Sequence, residues 1–170
     1  MMSDELKKAL SEQVNAEYYS AYLYLAMSAW ANSVSLKGCA NWLFAQAQEE
    51  LAHGTNIYKY ILDRGVAPSF YPIQAPEAEF SSIIEVFVEV LSHEQKVTAS
   101  INNIATIALK ENDHACYQFM MWYVNEQVEE EASASDILNK LEMIEDNSSA
   151  LLALDDELAK RTFIDPFAVN

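Results

Sequence analysis

Residues 45 to 54, AQAQEELAHG, set two glutamates side by side with a histidine three positions after the second. On a helix Glu50 and His53 would be neighbours on one face, and a carboxylate beside an imidazole is a donor pair for a transition metal. The stripe they interrupt is otherwise apolar, running Leu43, Ala47, Glu50, His53, Ile57. Three further segments repeat the pattern. Helical spacing puts Glu17 in the series Leu10, Val14, Glu17, Ala21, Tyr24, Ser28, and Glu94 in Phe87, Leu91, Glu94, Thr98, Ile101. The fourth series is Tyr123, Gln127, Glu130, Ala134, Ile137.

Several carboxylates carried into a low-dielectric interior would each cost several kcal/mol unless they met protons, cationic side chains or metal. The stripes contain no Lys or Arg. The spacing is also symmetric: Glu17 precedes Glu50 by 33 residues, Glu94 precedes Gln127 by 33, and His53 and Glu130 each follow three later. The chain therefore reads as two helix pairs, each offering one carboxylate and one i, i+3 pair to a common level.

Glu17, Glu50, His53, Glu94 and Glu130 form a carboxylate and imidazole set without cysteine, which suits iron or manganese better than structural zinc. Glu50 is central enough to bridge two ions. Two ferrous ions held close together can each give one electron to a bound O2 or peroxide, so the chemistry predicted is oxidation of Fe(II). The tetrad E-x-x-H alone is weak, because a second copy, Glu111-Asn112-Asp113-His114, falls across a predicted turn and reads as a solvated loop.

Helical periodicity places the elements that must position these residues. Residues 4 to 33 follow a cap at Ser3 or Asp4, with Leu6, Leu10, Val14, Ala21, Leu25 and Ser28 on one stripe. Residues 38 to 64 end at Gly65, and Pro68, Pro72 and Pro76 then hold the chain extended from Val66 to Phe80, long enough for a crossover. Helices at about 82 to 110, after Ser81 or Ser82, and about 114 to 144 follow, with a short one at about 148 to 159. These elements predict an all-α four-helix bundle with one long crossover and a short fifth C-terminal helix. One domain spans 1–170: the bundle over 1–145, the fifth helix over 146–160 and a tail over 161–170. The fifth helix has no room inside the bundle and is expected to dock against neighbouring subunits.

Composition agrees. Among 170 residues only three are glycine and four proline, against 51% hydrophobic, which disfavours disorder and turn-rich β folds. A net charge of −16 repels nucleic acid and anionic membranes and favours cationic partners, although acidity also simply aids solubility. No apolar signal core or membrane-length run is present, and Cys39 and Cys116 read as packed thiols in a reducing, cytoplasmic compartment.

The segments AEYYSAYLYL, QEELAH, HEQ and WYVNEQVEEE resemble those of prokaryotic-type non-haem ferritins, along essentially the whole chain. The resemblance implies a ferritin-like bundle in a hollow homo-oligomeric cage of 24 subunits, storing ferric mineral that a diiron ferroxidase centre supplies. One iron site would be Glu17, Glu50 and His53, the other Glu50, Glu94 and Glu130, with Gln127 as a hydrogen-bonding neighbour. A third iron site would use Glu49, Glu126, Glu129 and Glu130, although EQVEEE taken by itself reads as a solvated face. Tyr24 would stand beside the diiron centre as a possible electron donor or as a packed tyrosine, and Trp122 as packing. Haem is not expected, since haem-binding relatives carry methionine where Leu51 stands. Tyr117 and Met120 replace the acids of the animal threefold channel, so that entry route does not carry over. The competing classes are a rubrerythrin-like peroxide reductase, which normally adds a four-cysteine module, and a non-catalytic cage subunit, which would have lost ligands.

Overall fold

The computed structural model describes residues 2–144 and 147–168. Five helices appear among them: α1 Asp4–Ser33, α2 Lys37–Asp63, α3 Ile83–Lys110, α4 His114–Ile144 and α5 Ser148–Leu158. They agree with the sequence bounds to within a residue, and local chemistry sets the ends. Ser3, Ser82 and Asn147 each accept a hydrogen bond from a backbone N–H three residues on. Ser35, Gly65 and Asn112 take the positive φ that turns the chain after α1, α2 and α3. The expected boundary between bundle and fifth helix falls on Glu145 and Asp146, outside the described residues, as do Met1 and the tail's Val169 and Asn170.

α1 packs along α2 and α3 along α4, and the extended segment between α2 and α3 joins the two pairs. The core falls into two apolar clusters. One takes Leu23, Tyr24 and Met27 of α1, Leu43 of α2, Phe87 and Val90 of α3, and Ile137 and Leu141 of α4. The other takes Leu6 to Val14 of α1, Ile57 and Ile61 of α2, Val97 to Ile104 of α3, and Met120 and Tyr123 of α4. Along every long helix the buried glutamates fall between the two clusters, which makes them one acidic layer midway along the bundle. Among the described residues no helix is long and apolar enough to cross a membrane.

One sequence expectation changes. Leu25 does not join the buried stripe of α1: three- and four-residue steps from Ala21 reach both Tyr24 and Leu25, and Tyr24 takes the inward place while Leu25 is exposed. The fifth helix docks on its own chain. α2 begins without a side-chain cap, and the Asp155 carboxylate of α5 supplies one, accepting from the N–H groups of Gly38 at 2.9 Å and Cys39 at 2.8 Å. Gly38 makes the approach possible, because a Cβ there would lie 1.6 Å from the Asp155 carbonyl oxygen. Beyond α5, Asn41 donates to the carbonyls of Ala159 at 3.2 Å and Arg161 at 2.9 Å, and residues 161 to 167 turn back over α2 and α4.

Asp155→Ala leaves two buried helix N–H groups without a partner and is expected to cost about 1–3 kcal/mol. Gly38→Ala forces the helices apart and should lower the thermal midpoint by at least several degrees. Calorimetric melts of the two variants against the parent check both; unchanged midpoints would contradict the α2 and α5 contact.

Candidate metal centre

Glu17 of α1 and Glu50 and His53 of α2 each offer a donor atom within 4.8 Å of the other two. All three side chains are buried. Gly54 brings the helices together at this level, since a Cβ on it would stand 3.1 Å from that of Glu17. His53 Nδ1 lies 3.9 Å from Glu50 Oε2. Among the described residues, Glu50 Oε2 and His53 Nε2 have no hydrogen-bond partner. Two orphaned polar atoms in one buried cluster would be costly in a finished core. A cation taking their lone pairs removes that cost, so the donor set fits iron on chemistry as well as on spacing.

Glu94 of α3 and Glu130 of α4 are buried at the same level but do not join the three-donor cluster. Neighbouring side chains hold both. Tyr24, fully buried, donates its hydroxyl to Glu94 Oε1, and Gln127 donates to Glu94 Oε2 at 3.1 Å. Gln46 donates to Glu130 Oε2 at 2.8 Å, and Gln13 to Glu17 Oε1 at 2.9 Å. Trp122, Tyr123 and Phe167 enclose the His53 ring with centroids 5.4 to 6.1 Å away. Tyr123 also donates to the His53 carbonyl at 3.1 Å, fixing the backbone that carries the imidazole. Trp122 is therefore packing, as its sequence context suggests.

Burial and mutual repulsion set the proton affinities. Glu50 is raised well above the ordinary carboxylate range, first by burial and then by the charges of Glu17, Glu94 and Glu130. Glu94 is pushed up to about 7 and Glu130 to about 8, each chiefly by burial. Burial lowers His53, which keeps the imidazole neutral and able to bind metal. The phenol of Tyr24 is raised by burial and by Glu94, so it stays protonated and donates.

The outer acidic positions differ from one another. Glu49 and Glu126 are half-buried and Glu129 is exposed. Glu49 pairs with Arg161, whose guanidinium also donates to the Gln46 side-chain oxygen Oε1. The stripes hold no cation, as the sequence indicates, yet the segment after α5 brings one. Sequence reasoning missed Gln13, Gln46, Arg161 and Phe167. A signal existed for the amides, which precede Glu17 and Glu50 by four residues each, 33 apart like the glutamates themselves. Arg161 and Phe167 had none, because they follow a helix with no apolar periodicity leading back to the site. The second E-x-x-H is peripheral, with Glu111 and His114 exposed at the turn between α3 and α4.

Comparison with known proteins places these features in context. Residues 7–144 match the family model described as a ferritin-like domain. A bacterial non-heme ferritin of Staphylococcus aureus is 44% identical over 163 residues, covering 96% of this chain and 98% of that protein. Its counterpart in Staphylococcus saprophyticus matches at 44% over the same share. Among solved structures, an open-pore ferritin from the archaeon Archaeoglobus fulgidus superposes with a TM-score of 0.94 at 44% identity, over 95% of this chain and 99% of that one.

Between about pH 4.5 and 8 the folded, iron-free chain holds protons on Glu94 and Glu130 that an unfolded chain has released. Their contribution to stability is therefore full below pH 4.5 and is lost as the pH rises through about 7 and 8. Melts of metal-free protein should give a lower midpoint at pH 8 than at pH 5.5, and added Zn(II) should raise it more at pH 8. Equal metal stabilisation at both pH values would contradict carboxylates that exchange protons for metal.

Proposed function

Because this chain belongs to the ferritin family, we propose that it is an iron-storage subunit with ferroxidase activity, working in the cytoplasm as part of a 24-subunit cage. The observation that carries the proposal is the buried trio Glu17, Glu50 and His53 with two donor atoms unsatisfied among the described residues. Iron is both substrate and cargo. One Fe(II) is held by Glu17, Glu50 and His53 and a second by Glu50, Glu94 and Glu130, with Glu50 between them; Gln127 steadies Glu94. Each Fe(II) loses one electron, and the pair reduces O2 to hydrogen peroxide, or peroxide to water, with two protons taken up.

The residues of the chain prepare that reaction in definable ways. Carboxylates whose protons leave when metal arrives supply negative charge at the moment it is needed, and hard anionic oxygens favour the ferric product. Tyr24, which donates a hydrogen bond to Glu94, would supply one further electron to the bound oxidant, its phenolic proton passing to Glu94. Aromatic walls from Trp122, Tyr123 and Phe167 keep bulk water from His53. Glu49, Glu126, Glu129 and Glu130 make a third position on the path outward.

Assembly is supported by the exposed side chains of Tyr22, Leu25, Leu51 and Ile73, which share one open hollow on the α1, α2 and crossover face, where a lone subunit would leave apolar surface in water. One domain spans 1–170, and the product collects as ferric mineral inside the closed cage.

Adding Fe(II) to metal-free protein tests the proposal, with ferric absorbance, oxidant consumption and particle mass followed together. The expected mass is roughly 460 kDa for 24 chains of 19.2 kDa. Glu94→Ala should slow oxidation by about tenfold or more, whereas Glu111→Ala should leave it unchanged. Oxidation that survives Glu94→Ala sinks the proposed centre, and a monomer or dimer retaining no iron favours the peroxide reductase instead.

A further inference from the structure

The strap formed by residues 159 to 167 lies against the site at Glu49 and Trp122, and its chemistry is specific. Arg161 is the one Lys or Arg whose side chain is hydrogen-bonded to the acidic group described above, among the described residues. Its guanidinium donates to Glu49 and to the side-chain oxygen of Gln46, and stacks 4.4 Å from the Trp42 ring. Gln46 is fully buried with both ends of its amide used, Oε1 toward Arg161 and Nε2 toward Glu130 at 2.8 Å. Asn41 fastens the strap at one end, and Phe167 does so at the other with its ring 4.6 Å from Trp122.

We propose that the Arg161 guanidinium is the resident cation on Glu49, and that an iron ion occupies the third position of Glu49, Glu126, Glu129 and Glu130 only by displacing it. The inference rests on the iron reading given above and adds an occupancy-determining residue to it. The guanidinium holds Glu49 through Oε2, and a metal ion brought to the same carboxylate would meet its positive charge at contact distance, so each disfavours the other. Arrival of the ion releases Arg161 from Glu49, and the exchange conserves the role of the cleft as a place for positive charge. Gln46 transmits the change. With Arg161 gone its amide loses the partner that fixes its orientation, and Glu130 loses a secure donor. Glu130 is then free to turn toward the third ion. The third position is thereby weaker than the first two without any loss of carboxylates, which suits a place that iron must also leave.

Calorimetric titration of the metal-free assembled protein with Zn(II), a redox-inert divalent ion, tests the exchange. The native chain should take two ions per subunit tightly and a third weakly. Arg161→Gln should tighten the third by about tenfold or more, because an opposing charge at contact distance has been removed. Arg161→Lys keeps the charge and should stay near the native affinity. Unchanged third-ion affinity in Arg161→Gln overturns the inference, and so does an equal gain in Arg161→Lys, which keeps the charge. Trp42 gives a readout on the native chain: its fluorescence should change in the third phase of the titration and not in Trp42→Phe. No such difference overturns the inference as well. Failure to bind even the first two ions would instead remove the iron reading itself.

Discussion

Carboxylates packed into the dry middle of a helical bundle repel one another and lose their hydration, and every other feature of this chain is arranged around that cost. Glu17, Glu50, Glu94 and Glu130 are all buried at one level, with apolar clusters on either side that would gain from closing over them. A bundle built for stability alone would fill this layer with leucine. Retaining the acids leaves the fold with two ways to neutralise them, by protons when metal is scarce and by metal when it is present. Glu94 and Glu130, raised toward neutral pH, are poised between the two.

Around the acids stands a set of neutral donors that hold carboxylates without supplying permanent positive charge. Gln13, Gln46, Gln127 and the Tyr24 hydroxyl each donate to one of them. Amides and phenols fix orientation yet leave the charge to be met by an incoming ion, whereas a buried lysine would close the site against it. The division of labour is visible in what remains unpaired: Glu50 and His53 keep free donor atoms, while Glu94 and Glu130 are tethered. Among the described residues the one Lys or Arg hydrogen-bonded to the acidic group, Arg161, stands outside the layer, on Glu49.

Distant parts of the chain depend on the same frame. Asp155 caps α2 from α5, with Gly38 allowing the contact, and that docking directs the following residues back along α2. Asn41, one turn into α2, then holds the returning backbone and brings Arg161 to Glu49, two turns farther along the helix. Loss of the α5 contact would therefore reach the outer acidic cleft through the strap, although no residue of α5 touches the acids.

Periodicity by itself determined the four long helices, the level of the acidic layer and the five inward donors, because a 3.6-residue repeat forces a residue's face once its neighbours are apolar. The amides one turn before Glu17 and Glu50 were equally legible, on the same stripe. Periodicity could not choose between Tyr24 and Leu25, since both satisfy the step from Ala21 and only the partner helices decide which is covered. Nor could it say that α5 would fold on its own α2, or that Arg161 and Phe167 would return to the site. Those contacts join residues more than 100 positions apart through a carboxylate, an asparagine and a guanidinium, groups with no repeat to announce them. Local spacing fixes which face a side chain takes; which distant group meets it there is settled only when the helices pack.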